Sequence, residues 1–457
     1  MSALESLTAT PQARRASVAD TVRVATRVVL PTLAAGVIVR RPRIMALAEK
    51  LQFDRSAIRL LTALRLRYGD GPLRLAVPGR KYALLLDPDQ VREVLRDSAQ
   101  RFTPANREKR AALRHFQPHG VLISRGRSRA LRRNFHENVL EMDRPVHELG
   151  PRVAAAAAEE GARIVERAQS AGRLGWDDFA AGWWRAVRRV VLGDSARDDR
   201  RLIELLNELR ADANWAFAHP RRESRRREFS DRLHAHLARA DSGSLASTIS
   251  NRESTAEVDP DEQVPHWLFA FDAAAMIAFR ALALLASHPE QMRAVRAELD
   301  EARSDAPLLP YLRSCLLESV RLWPTTPALL RDAVTEAECG GQVLPAGTGV
   351  FIFTPLFHRD ETTMDNAHRF TPESWSDGTM DDHPAIVPFS AGPGRCPGEN
   401  VVLLTASTLL AALIRGHEFH LRDDHGLGSE PLPCTLNNFG LVFDVAASPG
   451  QEDRPRS

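Results

Sequence analysis

The chain has 457 residues, of which 44% are apolar and 26% charged, and a net charge of +2. That balance gives no electrostatic footprint for nucleic acid. Four scattered cysteines, Cys315, Cys339, Cys396 and Cys434, exclude a disulfide framework, show no zinc-knuckle spacing and fit a reducing, cytoplasmic setting.

The first apolar run is "VVLPTLAAGVIV", Val28 to Val39, twelve residues with a proline inside. It is short for a membrane span and lies too far in for an ordinary signal peptide. Arg43 to Tyr68 reads as an amphipathic helix. Leu73 to Asp87 reads as two short strands around Pro78 and Gly79, and "DPDQVREVLRDS" as a helix with an aspartate cap. Helical periodicity returns at Val146 to Ala168 and at Asp198 to Ala218. The run His219 to Phe229 reads as a solvated charged loop or helix face.

Asp241 to Asp261 is polar and reads as a long surface connection. No domain boundary is placed there, and residues 1–457 are read as one domain, with 1–25 and 448–457 as loose termini. Trp267 to Ala286, "WLFAFDAAAMIAFRALALLA", has the length of a membrane span but holds Asp272 and Arg280, so it reads as a buried helix. "GGQVLPAGTGVFIF" resembles a hairpin around Pro345-Ala346-Gly347.

Two patterns carry chemistry. In "VPFSAGPGRCPGEN", Val387 to Asn400, one cysteine sits among glycines and prolines ahead of an apolar helix. A cysteine that ligates a metal does so as thiolate. Glycines let backbone wrap closely around the sulfur, and a helix N-terminus stabilises its charge. Upstream, "YLRSCLLESVRLWP" places Glu318 and Arg321 at i and i+3 in an apolar setting, where an ion pair is more than surface decoration.

These residues resemble the cytochrome P450 family, the haem-thiolate monooxygenases, and the resemblance covers most of the chain. Glu318 and Arg321 match the family's E-x-x-R pair, and Cys396 its axial cysteine. "PTTPALLRDA", "AHRFTPESW", "LLASHPEQMRAVRAEL" and "SRGRSRALRRNF" resemble further family segments. The resemblance implies a mainly α fold with small β-sheets, built around haem b under a long central helix from about His266 to Ser287. It implies Cys396 as the proximal iron ligand, with Phe389 and Gly398 around the sulfur. Arg133 and Arg331 would reach haem propionates, with Arg129 and Arg395 as further candidates.

Three positions depart from the family. Gly394 stands where Arg or His is usual, beside Arg395. Ser374 replaces the arginine that usually joins the E-x-x-R pair, leaving Arg369 or backbone carbonyls to compensate. The usual A/G-G-x-D/E-T signature is placed on Ala274, Ala275, Met276, Ile277 and Ala278. That register makes Ala275 and Ala278 the distal positions, without acid or alcohol, and leaves Asp272 nearly two turns away.

The expected function is oxidation of an apolar small molecule with O2. Electrons would come from a separate ferredoxin with its reductase, or from a flavoprotein. The alternatives are peroxide-driven or oxygen-independent haem-thiolate chemistry, or a haem-binding sensor without turnover. Neither a nucleic-acid partner nor a transmembrane span is expected, and the state expected is monomeric.

Overall fold

The computed structural model describes residues 13–249, 255–305 and 307–448. The apolar run Trp267 to Ala286 lies in a helix, Val264–Ser287, that crosses the interior. Among the described residues it is the one helix long and apolar enough to span a membrane, and 78% of its apolar window is buried inside the protein. Trp176–Leu192, Pro310–Leu322 and Glu399–Ile414 pack against it, and Gly150–Ala171 packs on the first and last of these. Gly161 sets one of these spacings. A Cβ there would lie 2.7 Å from Ala412 Cβ and 3.1 Å from the Leu409 carbonyl, so the two helices meet where a side chain is missing.

Among the described residues ten short strands form three sheets: β1 (Leu73–Leu75), β2 (Tyr82–Leu84), β3 (Phe102–Thr103), β4 (Leu174–Gly175), β5 (Ala328–Ala333), β6 (Ala337–Cys339), β7 (Gln342–Leu344), β8 (Gly349–Phe353), β9 (His417–Leu421) and β10 (Val442–Ala447). The largest has the order β1-β2-β8-β5-β3, with β2 and β8 parallel and its other pairs antiparallel. The fold is therefore mainly α with small β-sheets.

Several expectations need correction. The helix read over Arg43–Tyr68 is two helices, Pro42–Leu51 and Phe53–Tyr68, broken at Gln52 with φ 48°. The Gln52 side chain holds the Thr435 carbonyl at 3.0 Å and the Cys434 N–H at 2.8 Å, which offsets the left-handed backbone. The expected β7–β8 hairpin does not form. β7 pairs with β6 across Gly340 and Gly341, both at positive φ, while β8 enters the large sheet.

The surface connection also carries a buried stretch. Ser244 and Leu245 are fully buried at the short helix Leu245–Ile249; residues 250–254 lie outside the described ones. The loose amino terminus does not extend to residue 25. From Val18 the chain is helical, capped by Ser17, and the buried Asp20 accepts from Tyr68 Oη at 2.7 Å. Residues 1–12 and 449–457 lie outside the described residues, and Ser448 N–H bonds the Gly416 carbonyl at 2.9 Å.

Candidate functional site

The cysteine loop is built by backbone. At Gly392, φ is +59° and a Cβ would lie 2.3 Å from the Leu95 carbonyl, so only glycine fits. Cys396 N–H donates to the Phe389 carbonyl at 2.9 Å, closing the loop before the helix Glu399–Ile414. Burial, with Glu399 nearby, pushes the Cys396 thiol up to about 11, against the Gly398 N–H and the charges of Arg133 and Arg395. The sulfur therefore keeps its proton until a metal displaces it.

One side of this loop is rimmed by cations. Arg331, on β5, is 3% exposed and burial pushes it down to about 10. Its partners are neutral: Ser98 Oγ at 3.0 Å, the Leu330 carbonyl at 3.0 Å and Ser390 Oγ at 3.4 Å. Arg129 and Arg133 come from the helix Gly126–Val139, four residues apart on one face. Arg129 donates to the Pro393 carbonyl at 3.0 Å, and its buried Nε has no partner among the described residues. Arg133 donates to the Arg395 carbonyl and pairs with Glu137. Arg395 does not join them. Its side chain is 53% exposed and pairs with Glu399 at 2.8 Å.

Two members of this rim went unread in the sequence. Lys109, on the helix Arg107–Leu113, is half-buried and has no carboxylate partner among the described residues. Burial, with Arg331 nearby, pushes it down to about 7, opposed by Asp332. Burial, with Lys109 and Arg133 nearby, pushes His266 down to about 4. The one hint was that Lys109 is one of three lysines in the chain.

Behind the loop, Glu318 and Arg321 are fully buried and pair through two bonds, at 2.6 and 2.7 Å. Arg321 also donates to the carbonyls of His358, Ala367 and Arg369 at 2.9, 3.0 and 2.8 Å. Glu318 accepts from Thr371 N–H at 3.0 Å and from Trp375 Nε1 at 2.8 Å. Backbone carbonyls thus compensate at Arg321, as expected, while Thr371 and Trp375 complete Glu318. Ser374 accepts from Asn366 at 2.9 Å, and the Arg369 side chain pairs with Glu430. The network reaches the cysteine loop: Val387 N–H donates to His358 Nε2 at 3.1 Å. Burial beside Arg321 pushes His358 down to about 3, so it stays neutral and accepts.

Comparison with known proteins agrees with this geometry. The "Cytochrome P450" family pattern matches residues 217–437, spanning the paired Glu318 and Arg321 and the cysteine loop. The chain belongs to the cytochrome P450 family. It is 28% identical over 408 residues to "Cytochrome P450 734A5" of Oryza sativa subsp. japonica, covering 77% of this chain and 74% of that one. It is 35% identical over 192 residues to "Cyclooctat-9-en-7-ol 5-monooxygenase" of Streptomyces melanosporofaciens, covering 38% of this chain and 41% of that one. The solved "cytochrome P450DA heme domain" shares the fold, with TM-score 0.68 and 18% identity over 87% of this chain and 92% of that one. Membership makes this chain a P450-type oxidoreductase, a haem-thiolate monooxygenase in general class.

The residues present fit a haem. Arg129, Arg133, Arg331 and Lys109 share one region where, among the described residues, only Arg133 has a carboxylate partner, the part-exposed Glu137, as the two propionates of a porphyrin require.

The central helix of this P450 corrects the sequence register. Ala274 and Ala275 are 1% exposed and Ala278 is fully buried, all within the packed core. The Pro310–Leu322 helix closes that stretch, with Ser319 Oγ donating to the Ile277 carbonyl at 3.1 Å. Ala275 and Ala278 are therefore packing residues and not distal contacts. The half-buried stripe is His266, Phe269, Ala270 and Ala273, spaced one helical turn apart. His266, at its head, faces Lys109 and Arg133. In this register the signature falls on Phe269-Ala270-Phe271-Asp272-Ala273. The acid is present as Asp272, ion-paired with the buried Arg210, and only the alcohol is missing, at Ala273.

Proposed function

We propose that the protein binds haem b through Cys396 and hydroxylates or otherwise oxidises an apolar small molecule with O2. The observation that carries this reading is the glycine-shaped Cys396 loop beside a rim of cations, of which the buried Arg129 and Arg331 have no ion-pair partner among the described residues. When bound, the haem supplies the oxidising chemistry, favoured by thiolate ligation. Cys396 would give up its thiol proton to ligate, with the Gly398 N–H and the helix N-terminus steadying the sulfur charge. Lys109, Arg129, Arg133 and Arg331 would orient the group by its carboxylates.

Ala270 and Ala273 leave room on the helix stripe, and Phe116 and Phe269, with ring centroids 5.4 Å apart, give it an apolar wall. Asp272, next to Ala273 and ion-paired with Arg210, would be the carboxylate that relays protons, a general-acid task. The similarity to a protein named as a cyclooctat-9-en-7-ol monooxygenase supports a hydrocarbon-rich substrate. Electrons would come from a separate ferredoxin or flavoprotein, and the protein would work as a cytoplasmic monomer. A peroxide-driven reaction is the second reading, favoured by the missing hydroxyl at Ala273.

Turnover with isotopically labelled O2 and a surrogate ferredoxin system decides between them. Monooxygenation puts one labelled atom into product and stops without the electron donor. Product formed from peroxide alone establishes the second reading. Ligand-induced spectral shifts with no product by either route would contradict both and leave a haem sensor.

A further inference from the structure

A cavity of about 50 Å³ lies where the amino-terminal helices, the central helix and the chain entering β5 meet. That is room for a few waters or one small polar group. Pro327 and Phe353 give its wall an apolar side. Its charged lining is Arg27, Arg40, Arg280 and Asp54, three cations against one acid.

The two inner arginines hold only neutral partners. Arg40, just ahead of the helix Pro42–Leu51, donates to the Gly36 and Thr325 carbonyls at 3.0 and 2.8 Å. Arg280, on the central helix, is 4% exposed. It donates to the Trp323 and Leu436 carbonyls at 3.0 and 3.2 Å and to Asn438 Oδ1 at 3.1 Å. Its Nε has no partner among the described residues, and neither has Nδ2 of the fully buried Asn438. Burial, with Arg40 nearby, pushes Arg280 down to about 9. Asp54 is a poor counter-charge. Among the described residues its side chain accepts only from Thr435 Oγ1, at 2.9 Å, and burial pushes its carboxyl up. Arginines that merely tied backbone together would leave no buried N–H unused. Unpaired buried donors and excess positive charge at a void call for an anionic group.

The cavity is placed beside the haem site. Arg280 follows Ala273 by two helical turns, about 10 Å along the same helical face. Pro327 precedes Arg331 of the cation rim on the short path into β5.

We propose that Arg40 and Arg280 bind a carboxylate at one end of the substrate, whose apolar body lies along the stripe of Ala270 and Ala273. The proposal rests on the haem-thiolate reading and narrows its substrate class to apolar molecules with one anionic terminus. A monoanion suits the site, because Arg40 and Arg280 less Asp54 leave one uncompensated charge, and a planar carboxylate pairs with a guanidinium fork. Fixing one end would hold a flexible body in one register along the helix, which selects the position oxidised.

The test is calorimetric and spectral titration of the haem-loaded chain with dodecanoic acid and abietic acid, each beside its methyl ester, and with acetate. At least one acid is expected to bind about tenfold or more tighter than its ester. Arg40→Gln is expected to lower acid affinity about tenfold more than ester affinity, and Arg40→Lys, which keeps the charge, to retain most of the preference. Arg280→Gln should act like Arg40→Gln; should it unfold, the Arg40 pair still decides. Equal binding of acid and ester by the parent, binding of neither, or equal loss of both in Arg40→Gln overturns the proposal. So does acetate bound as tightly as the long acids, which would make the cavity a site for free anions. Failure of the haem-thiolate reading is distinguishable: the thiolate spectrum would be missing while calorimetry still reports the preference for acid over ester.

Discussion

The Glu318/Arg321 network and the central helix lie against each other and differ in how their positions are specified. In the network every nitrogen and oxygen of the two charged groups has a named partner, and a shift of one residue would strand a buried charge. In the central helix the stretch from Ala274 to Leu285 is 7% exposed or less at every position, so neighbouring registers bury much the same kind of surface. A buried ion pair is thus a landmark, whereas an apolar helix covered on all sides carries little phase information. Asp272, ion-paired through Arg210, and the buried Arg280, which donates to the Trp323 and Leu436 carbonyls, are the exceptions that restore the phase.

The largest expected effect breaks the network. Arg321→Ala strips a fully buried Glu318 of its ionic partner and should cost on the order of 3–5 kcal/mol, read by denaturant unfolding. A loss below about 1 kcal/mol, the range of exposed ion pairs, would remove the contrast with the central helix.

The next effect separates the two registers of that helix. Ala278→Thr adds atoms to a fully buried position and should destabilise by about 1–3 kcal/mol without altering how much oxidant ends in product. Ala273→Thr, on the half-buried stripe, should leave stability nearly unchanged and alter that coupling. The reverse pattern would restore Ala275 and Ala278 as the distal pair.

A smaller effect concerns the cation rim. Lys109 is pushed from 10.5 down to about 7, so between these values the unfolded chain holds a proton that the folded, haem-free chain does not. Stability should therefore rise with pH across that window, and Lys109→Met should flatten the rise. Lys109→Met should also weaken haem affinity, in a haem titration, more than Lys81→Met does. Equal effects would place Lys109 outside the rim.

What was legible in the sequence follows the same contrast. The pairing of Glu318 with Arg321 could be read because two opposite charges one helical turn apart in an apolar run have few other solutions. The Cys396 loop could be read because glycines and prolines at fixed offsets restrict backbone. The roles of Thr371 and Trp375 at Glu318 could not, since they depend on a meander whose path no local pattern specifies. Lys109 and His266 were missed for a related reason. They come from separate helices and meet only in three dimensions. The β7–β8 hairpin was misread because Pro345-Ala346-Gly347 and Gly340-Gly341 are both adequate turns, and strand partners far along the chain chose between them.

The central claim is that Cys396 ligates haem iron. The most direct measurement is the absorption spectrum of the haem-loaded chain beside that of Cys396→Ser, with unfolding curves to show that both are folded. The account predicts a thiolate-ligated haem spectrum in the parent and its loss in a folded Cys396→Ser. An unchanged spectrum in that variant, or no thiolate signature in a folded, haem-loaded parent, would contradict it.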